Sequence, residues 1–155
     1  MGGRIGIQLE MMRLALEEAR NALHLGEVPI GAVIAQEQDV IAVGFNQPIR
    51  SVDPTAHAEV VAIRKAAREL SNYRLSSLTL YVTVEPCMMC VGAIVQARIG
   101  TLVYGAAEPK FGAVESLMDL RQIGIPHRLA IVSGILEPDC RKVLQDFFQY
   151  RREGD

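Results

Sequence analysis

Little net charge, few cysteines and no long apolar run mark this sequence. Its 16 basic and 18 acidic residues leave a formal charge of −2. The bulk electrostatics of a nucleic-acid binder are therefore missing, and any contact with such a polymer has to come from a local patch. Three cysteines, Cys87, Cys90 and Cys140, are too few and odd in number for a disulfide framework, and they suit a reducing compartment. The opening "MGGRIGIQLE" lacks the apolar core of a signal peptide, and no later run approaches a membrane span. A cytoplasmic location without membrane association is expected. N-myristoylation at Gly2 is disfavoured, because Gly6 stands where the motif wants Ser or Thr. No internal repeat or linker interrupts the chain, so residues 1–155 are expected to form a single domain.

A chain of this length, half of it hydrophobic, can bury a continuous core without disulfides or a structural metal. A metal ion, if bound, would then be functional. From Gln8 to Leu25 the apolar residues Leu9, Met12, Leu16, Ala19 and Leu23 recur at helical spacing, closed by Gly26. "PIGAVIAQEQDVIAVGF" reads as a β-hairpin whose apolar runs flank Gln36 to Asp39, and the polar "NQPIRSVDPT" as a loop. A second helix is predicted from His57 to about Leu70, with Arg64, Lys65 and Arg68 on its solvated side. "TLYVTV" is a buried strand, and Pro86 precedes a helix from Cys87 to Ala97. "TLVYG" and "RLAIVSG" are two further strands, and the last helix runs from Asp139 to about Tyr150. This order predicts an α/β fold whose later strands share a sheet covered on both faces.

Two short motifs carry chemistry. In "TAHAEV" a histidine and a glutamate stand two apart. Residues so spaced do not face each other in mid-helix, so His57 and Glu59 can act together only at a helix N-terminus. Taken alone, the pair suits an ordinary helix start whose acidic residue favours the positive end of the dipole. "VEPCMMC" changes the weighing. Cys87 and Cys90, three apart at a helix start, share one face of the first turn, where the dipole lowers thiol pKa. A redox dithiol is the rival reading, but the pair does not follow the first strand of a thioredoxin-like order. Two thiolates and the imidazole of His57 suit zinc, one ion per subunit. A structural site would want a fourth ligand, for which Cys140, His24 and His127 are the candidates, each isolated in sequence from these three; a site with three protein ligands keeps an open position for water. A carboxylate at Glu59 could then take a proton from that water and deliver protons to a substrate.

Together the residues read H-A-E and P-C-x-x-C, the signature of zinc-dependent nucleobase deaminases, tRNA adenosine deaminases among them. The chain closely resembles the bacterial tRNA-specific adenosine deaminases nearly end to end, through "VPIGAVI", "GFNQPI", "DPTAHAE", "NYRL", "TLYVTVEPCMMCVGAI", "ARIG", "SLMD" and "DFFQYRR". The resemblance implies a cytidine-deaminase-like three-layer α/β/α sandwich with a mixed five-stranded sheet, and a homodimer. It also implies hydrolytic conversion of adenosine to inosine at the wobble position of a tRNA anticodon stem-loop. By the same resemblance His57, Cys87 and Cys90 hold zinc, Glu59 is the proton shuttle, and Asn46, Ala58 and Pro48 bind the target base. Lys110, Phe148, Arg151 and Arg152 match positions where relatives hold RNA. As bare sequence features these are weak: Asn46 suits a turn, and basic residues suit any helix end. Glu85 is read as a structural strand-end carboxylate. Glu108, Phe111 and Pro126 depart from the residues that many relatives carry there, which bears on RNA contacts rather than on zinc. The alternative reading is a deaminase of a free base or nucleoside, of guanine or cytosine type.

Overall fold

The computed structural model describes residues 2–154. Five helices surround one sheet: α1 (Gly2–His24), β1 (Gly31–Gln36), β2 (Asp39–Phe45), α2 (Pro48–Ser51), α3 (Ala58–Leu70), β3 (Thr79–Val84), α4 (Met88–Ala97), β4 (Thr101–Ala106), β5 (Ala130–Ser133) and α5 (Glu137–Gly154). A 3₁₀ turn at Leu120–Gln122 lies between β4 and β5. The sheet order is β2-β1-β3-β4-β5. β1 runs antiparallel to β2 and β3, while β3, β4 and β5 are mutually parallel. The mixed five-stranded sheet expected from the sequence is thus present.

Alternation along the strands sends side chains to two cores. Ile34, Leu80, Val82 and Leu102 face one core with Ala58, Ala62 and Ala66 of α3 and Ile94 of α4. Val33, Tyr81 and Val103 face the other with Met11, Met12 and Leu16 of α1 and Cys140 of α5. Three layers result, with α3 and α4 on one side of the sheet and α1 and α5 on the other.

Several element boundaries differ from the sequence expectation. α1 starts at Gly2 rather than Gln8, because its first turns lie at the surface and need no apolar stripe. Its buried line uses Ala15 and Ala22, whereas Leu23 is exposed. The polar loop after β2 contains the four-residue α2, started by Pro48. α5 begins at Glu137, so Pro138 lies inside its first turn, where no intrahelical N–H is needed. Cys87 and His57 are N-caps rather than helical residues.

Helices approach the sheet over small residues. A methyl group at Gly31 would overlap the backbone of Ala15 and Ala19 in α1, and one at Gly44 would overlap Ala58 and Ala62 in α3. Since neither neighbour is a flexible side chain, Gly31→Ala is expected to lower unfolding free energy by about 3 kcal/mol. Urea denaturation followed by circular dichroism would measure this, and an unchanged midpoint would contradict the packing argument.

Candidate active site

Two helix N-termini meet at one point. α3 opens at His57 and α4 at Cys87, both caps extended, with φ/ψ of −72/155° and −76/175°. Neither side chain caps its own helix, which leaves the imidazole and thiol free to face each other across the two starts. Cys90, one turn into α4, is buried. His57 Nδ1 lies 3.6 Å from Cys87 Sγ and 3.5 Å from Cys90 Sγ. Among the described residues these three form the one group whose ligand atoms all lie within 4.8 Å of one another.

The donor set suits a metal that accepts nitrogen and sulfur. Tetrahedral bonds of about 2.1 Å to nitrogen and about 2.3 Å to sulfur place the two atoms about 3.6 Å apart. The observed separations match that requirement, and three protein donors leave a fourth position for a small ligand. Cys140, by contrast, sits in the core on the other side of the sheet. Burial pushes its thiol up to about 12, as suits an inert packing residue.

Protons in the metal-free cluster are unevenly held. The hydrogen bond from the Cys90 thiol, then that with His57, pulls Cys87 down to about 4. The bond to Cys87 and burial together raise Cys90, and the bond with Cys87 raises His57 despite burial. The cluster therefore holds a thiolate at Cys87 and a thiol at Cys90. A metal bound by both sulfurs has to displace the Cys90 proton.

Glu59 lies in the first turn of α3, two residues after His57, and is 4% exposed. Burial raises its carboxyl to about 7, against the opposing pull of its own backbone N–H and of His57. Such a group can both accept and give up a proton at neutral pH. Ala58, between the two, is fully buried at the first helical position.

Asn46 and Pro48 arrive from the end of β2. Asn46 is buried and its backbone N–H donates to Ile30 O at 3.0 Å. Gln47 N–H donates to Ala56 O at 2.9 Å, which fastens this turn to the segment leading into His57. Pro48 opens α2, whose N–H groups are satisfied by a residue that sequence reasoning missed. Glu27, 2% exposed, accepts from Ile49 N–H at 3.3 Å and Arg50 N–H at 2.7 Å. Its carboxylate thus sets the position of the Asn46–Pro48 turn. No local signal links residue 27 to residues 49 and 50, so only the fold could reveal it.

Glu85 organises the opposite wall. It accepts backbone N–H bonds from Glu108, Val114, Glu115 and Ser116 at 3.1, 3.0, 2.8 and 3.0 Å, and a bond from the Ser116 hydroxyl. Burial raises its pKa, but these donors outweigh it and the net shift is downward. Cys87 in turn forms an antiparallel bridge with Gly112. A methyl at Gly112 would collide with the Glu85 carboxyl, so glycine is needed at that close approach. Lys110 and Phe111 sit exposed at the tip of the same loop, and the Glu108 carboxylate accepts from Lys110 N–H.

The remaining sequence-predicted residues lie apart. Phe148, Arg151 and Arg152 are on the last turns of α5 and are exposed. α5 packs on β3 and β4 but not on α3 or α4. Arg151 lies over the buried Phe147 ring at 5.4 Å. His24 is exposed at the end of α1 and does not enter the cluster.

Comparisons with known proteins agree with this geometry. The MafB19-like deaminase family model matches residues 8–152. The tRNA-specific adenosine deaminase of Haemophilus influenzae is 47% identical over 146 residues, covering 93% of this chain and 84% of that protein. A solved structure from work on A-to-I editing by tRNA:A34 deaminases at the wobble position of transfer RNA is 46% identical. It superimposes with a TM-score of 0.83, covering 87% of this chain and 99% of that one. A guanine deaminase from Nitrosomonas europaea shares the fold at 22% identity and a TM-score of 0.75, covering 90% of this chain and 83% of that one.

Two outcomes follow from the buried carboxylates. Glu85→Ala leaves several N–H groups without an acceptor and is expected to cost about 3–5 kcal/mol. Amide exchange at Val114, Glu115 and Ser116 should speed up first; unchanged exchange there would deny Glu85 its anchoring role. For Glu59 the folded pKa of about 7 lies above the ordinary 4.5, so the folded state holds its proton more tightly. In metal-free protein this contribution to stability is complete below pH 4.5 and is lost as pH rises through 7. Denaturation of chelator-treated wild type and Glu59→Gln between pH 4 and 8 should show the downward component in the wild type alone.

Proposed function

Since this chain belongs to the MafB19-like deaminase family, we propose that it hydrolyses adenosine to inosine at the wobble position of a tRNA anticodon. The observation that carries the reading is a buried carboxylate, Glu59, beside a three-donor N/S metal site. The same activity stands in the names of relatives that match nearly the whole chain. The deaminase domain is residues 1–155, of which Met1 and Asp155 lie outside the described residues.

His57, Cys87 and Cys90 hold one zinc ion per subunit. Zinc, when bound, lowers the pKa of a water toward neutrality and so supplies a nucleophile. Glu59 does the proton work. It accepts a proton from the attacking water and passes it to adenine N1 as the new C–O bond forms at C6. It then carries a second proton to the C6 amino group, the C–N bond breaks, ammonia departs and the carbonyl of inosine remains. Asn46, fixed by the turn that Glu27 holds, hydrogen-bonds the extruded base; Pro48 packs beside it and the Ala58 backbone lines the floor.

The target base has to leave the anticodon stack to reach Glu59. Lys110, exposed at the tip of the loop that bridges to Cys87, meets the flanking phosphates on this reading. Phe148, Arg151 and Arg152 hold RNA from the last turns of α5. Met88 and Met89, exposed at the start of α4, support a homodimer that packs over this end of the molecule. Among the described residues no helix is long and apolar enough to cross a membrane; the proposed action on tRNA belongs to the cytoplasm.

The decisive assay is inosine formation in an anticodon stem-loop with a wobble adenosine. Glu59→Ala is expected to keep its zinc and lose roughly 10²–10⁴-fold in rate. Cys87→Ala should lose zinc and activity together, whereas Cys140→Ala keeps both, as read by metal mass spectrometry. Full turnover of guanine or cytosine by wild type, with no inosine formed, would replace the tRNA reading with that of a free-base deaminase.

A further inference from the structure

We propose that the end of the sheet remote from Glu59 carries a second binding site, one for a phosphate group. His57 and Cys87 lie at helix starts, and Cys87 follows the carboxyl end of β3. At the amino ends of the three parallel strands lies a cavity of about 360 Å³, lined by Arg74, Ser76, Ser77, Arg98, His127 and Arg128. The six residues of β3 put roughly 20 Å between the two ends.

Three guanidinium groups and no carboxylate line this cavity. Among the described residues Arg74, Arg98 and Arg128 take part in no ion pair, as holds for most arginines of the chain, and the Arg74 guanidinium lies 5.9 Å from the centre of the Tyr73 ring. Like charges gathered without a counter-charge repel, and in a chain of net charge −2 acidic partners are not scarce. The α4 dipole accounts for Arg98 at that helix's C-cap; no helix end accounts for Arg74, which lies over the Tyr73 ring, or for Arg128. Each arginine comes from a different connection, and backbone bonds tie the three connections together. Leu75 N–H donates to Ala97 O at 2.7 Å, Gly100 N–H to Leu78 O at 3.1 Å, and Ala130 N–H to Gly100 O at 3.0 Å. The arginines are thus held on a rigid frame rather than on free loops.

His127 is fixed in the wall of the same cavity. Its Nε2 lies 2.8 Å from Ile99 O; a carbonyl only accepts, so Nε2 carries the proton. Nδ1 is buried, and among the described residues it is the one such side-chain atom without a hydrogen-bond partner. Two wall residues, Ser77 and Arg98, hold φ of 68° and 63°, a left-handed backbone that costs non-glycine residues about 1 kcal/mol or more. Forked guanidinium donors with serine hydroxyls between them match the oxygens of a phosphate. That phosphate belongs either to the backbone of the RNA substrate, beyond the anticodon loop, or to a free phosphate compound.

The test uses zinc-loaded full-length protein and the Arg74→Gln/Arg128→Gln variant, both residues being exposed and outside the catalytic cluster. Calorimetric titration with inorganic phosphate reads the free ligand. The salt dependence of full-length tRNA binding reads the RNA backbone, and this arm rests on the proposed substrate. If the phosphate is the RNA's, the variant's slope of log K against log salt is shallower by about 1–2, KM rises and kcat is unchanged. If the ligand is free phosphate, its affinity falls at least tenfold while tRNA binding is unaltered. Equal behaviour of variant and wild type in both arms overturns the site. Loss of the wild type's deamination would instead sink the reading of Glu59, and the phosphate titration would stand on its own. Circular dichroism confirms folding, and Arg74→Lys/Arg128→Lys, which keeps the charge, should recover part of the lost binding.

Discussion

The meeting of two helix N-termini is the constraint on which the rest of this molecule depends. Each brings unsatisfied N–H groups and the positive end of a dipole to the same place. Ordinary helix starts meet that demand with a capping side chain. Here His57 and Cys87 occupy the cap positions and turn to each other instead. The sheet makes this possible: glycines on its strands let α1 and α3 sit close against the backbone, so the start of α3 is positioned by packing rather than by its own cap. Hydrogen bonds from Cys90 and His57 then favour the thiolate at Cys87, while the buried first turn of α3 disfavours ionisation of Glu59. One arrangement lowers one acid and raises another within a few residues.

Much of this was legible in the chain. Spacing alone places Cys87 and Cys90 on one helical turn, and the two-residue step from His57 to Glu59 makes sense only at a helix start. The β-branched "TLYVTV" predicts a buried strand and the two apolar runs flanking Gln36 to Asp39 predict a hairpin, and both form. What the chain did not reveal were relations between distant segments. Glu27 looks like any loop acid after a helix until α2 is found above it. Glu85 was readable as a structural carboxylate, but not as the acceptor for a loop some thirty residues further on. Arg74, Arg98 and Arg128 belong to three separate connections and converge only because β3, β4 and β5 lie parallel. Local periodicity reports neighbours along the chain, and these groups are neighbours only through the sheet.

Charge shows the same gap between the whole and the part. A net charge of −2 argues against a nucleic-acid binder, yet the sum conceals how charge is placed. Acidic residues are drawn inward as acceptors, with Glu27, Glu59 and Glu85 all buried. Buried carboxylates that accept backbone N–H bonds count in the total but project little field to solvent. Composition alone therefore does not say how charge is spread over the surface that a polyanion meets.

The loop after β4 hangs from a single carboxylate. Glu85 grips it at Glu108 and again at Val114 to Ser116, and Gly112 is bridged to Cys87. Between those anchors the tip, Pro109 to Phe111, is exposed. Mutations at the tip can therefore accumulate without shifting the metal ligands, because the anchors lie outside it, at Glu108, Gly112 and Val114 to Ser116. In evolutionary terms the chemistry and the choice of substrate are separable traits. A lineage can try new tips at residues 109–111 while inheriting an unaltered catalytic centre.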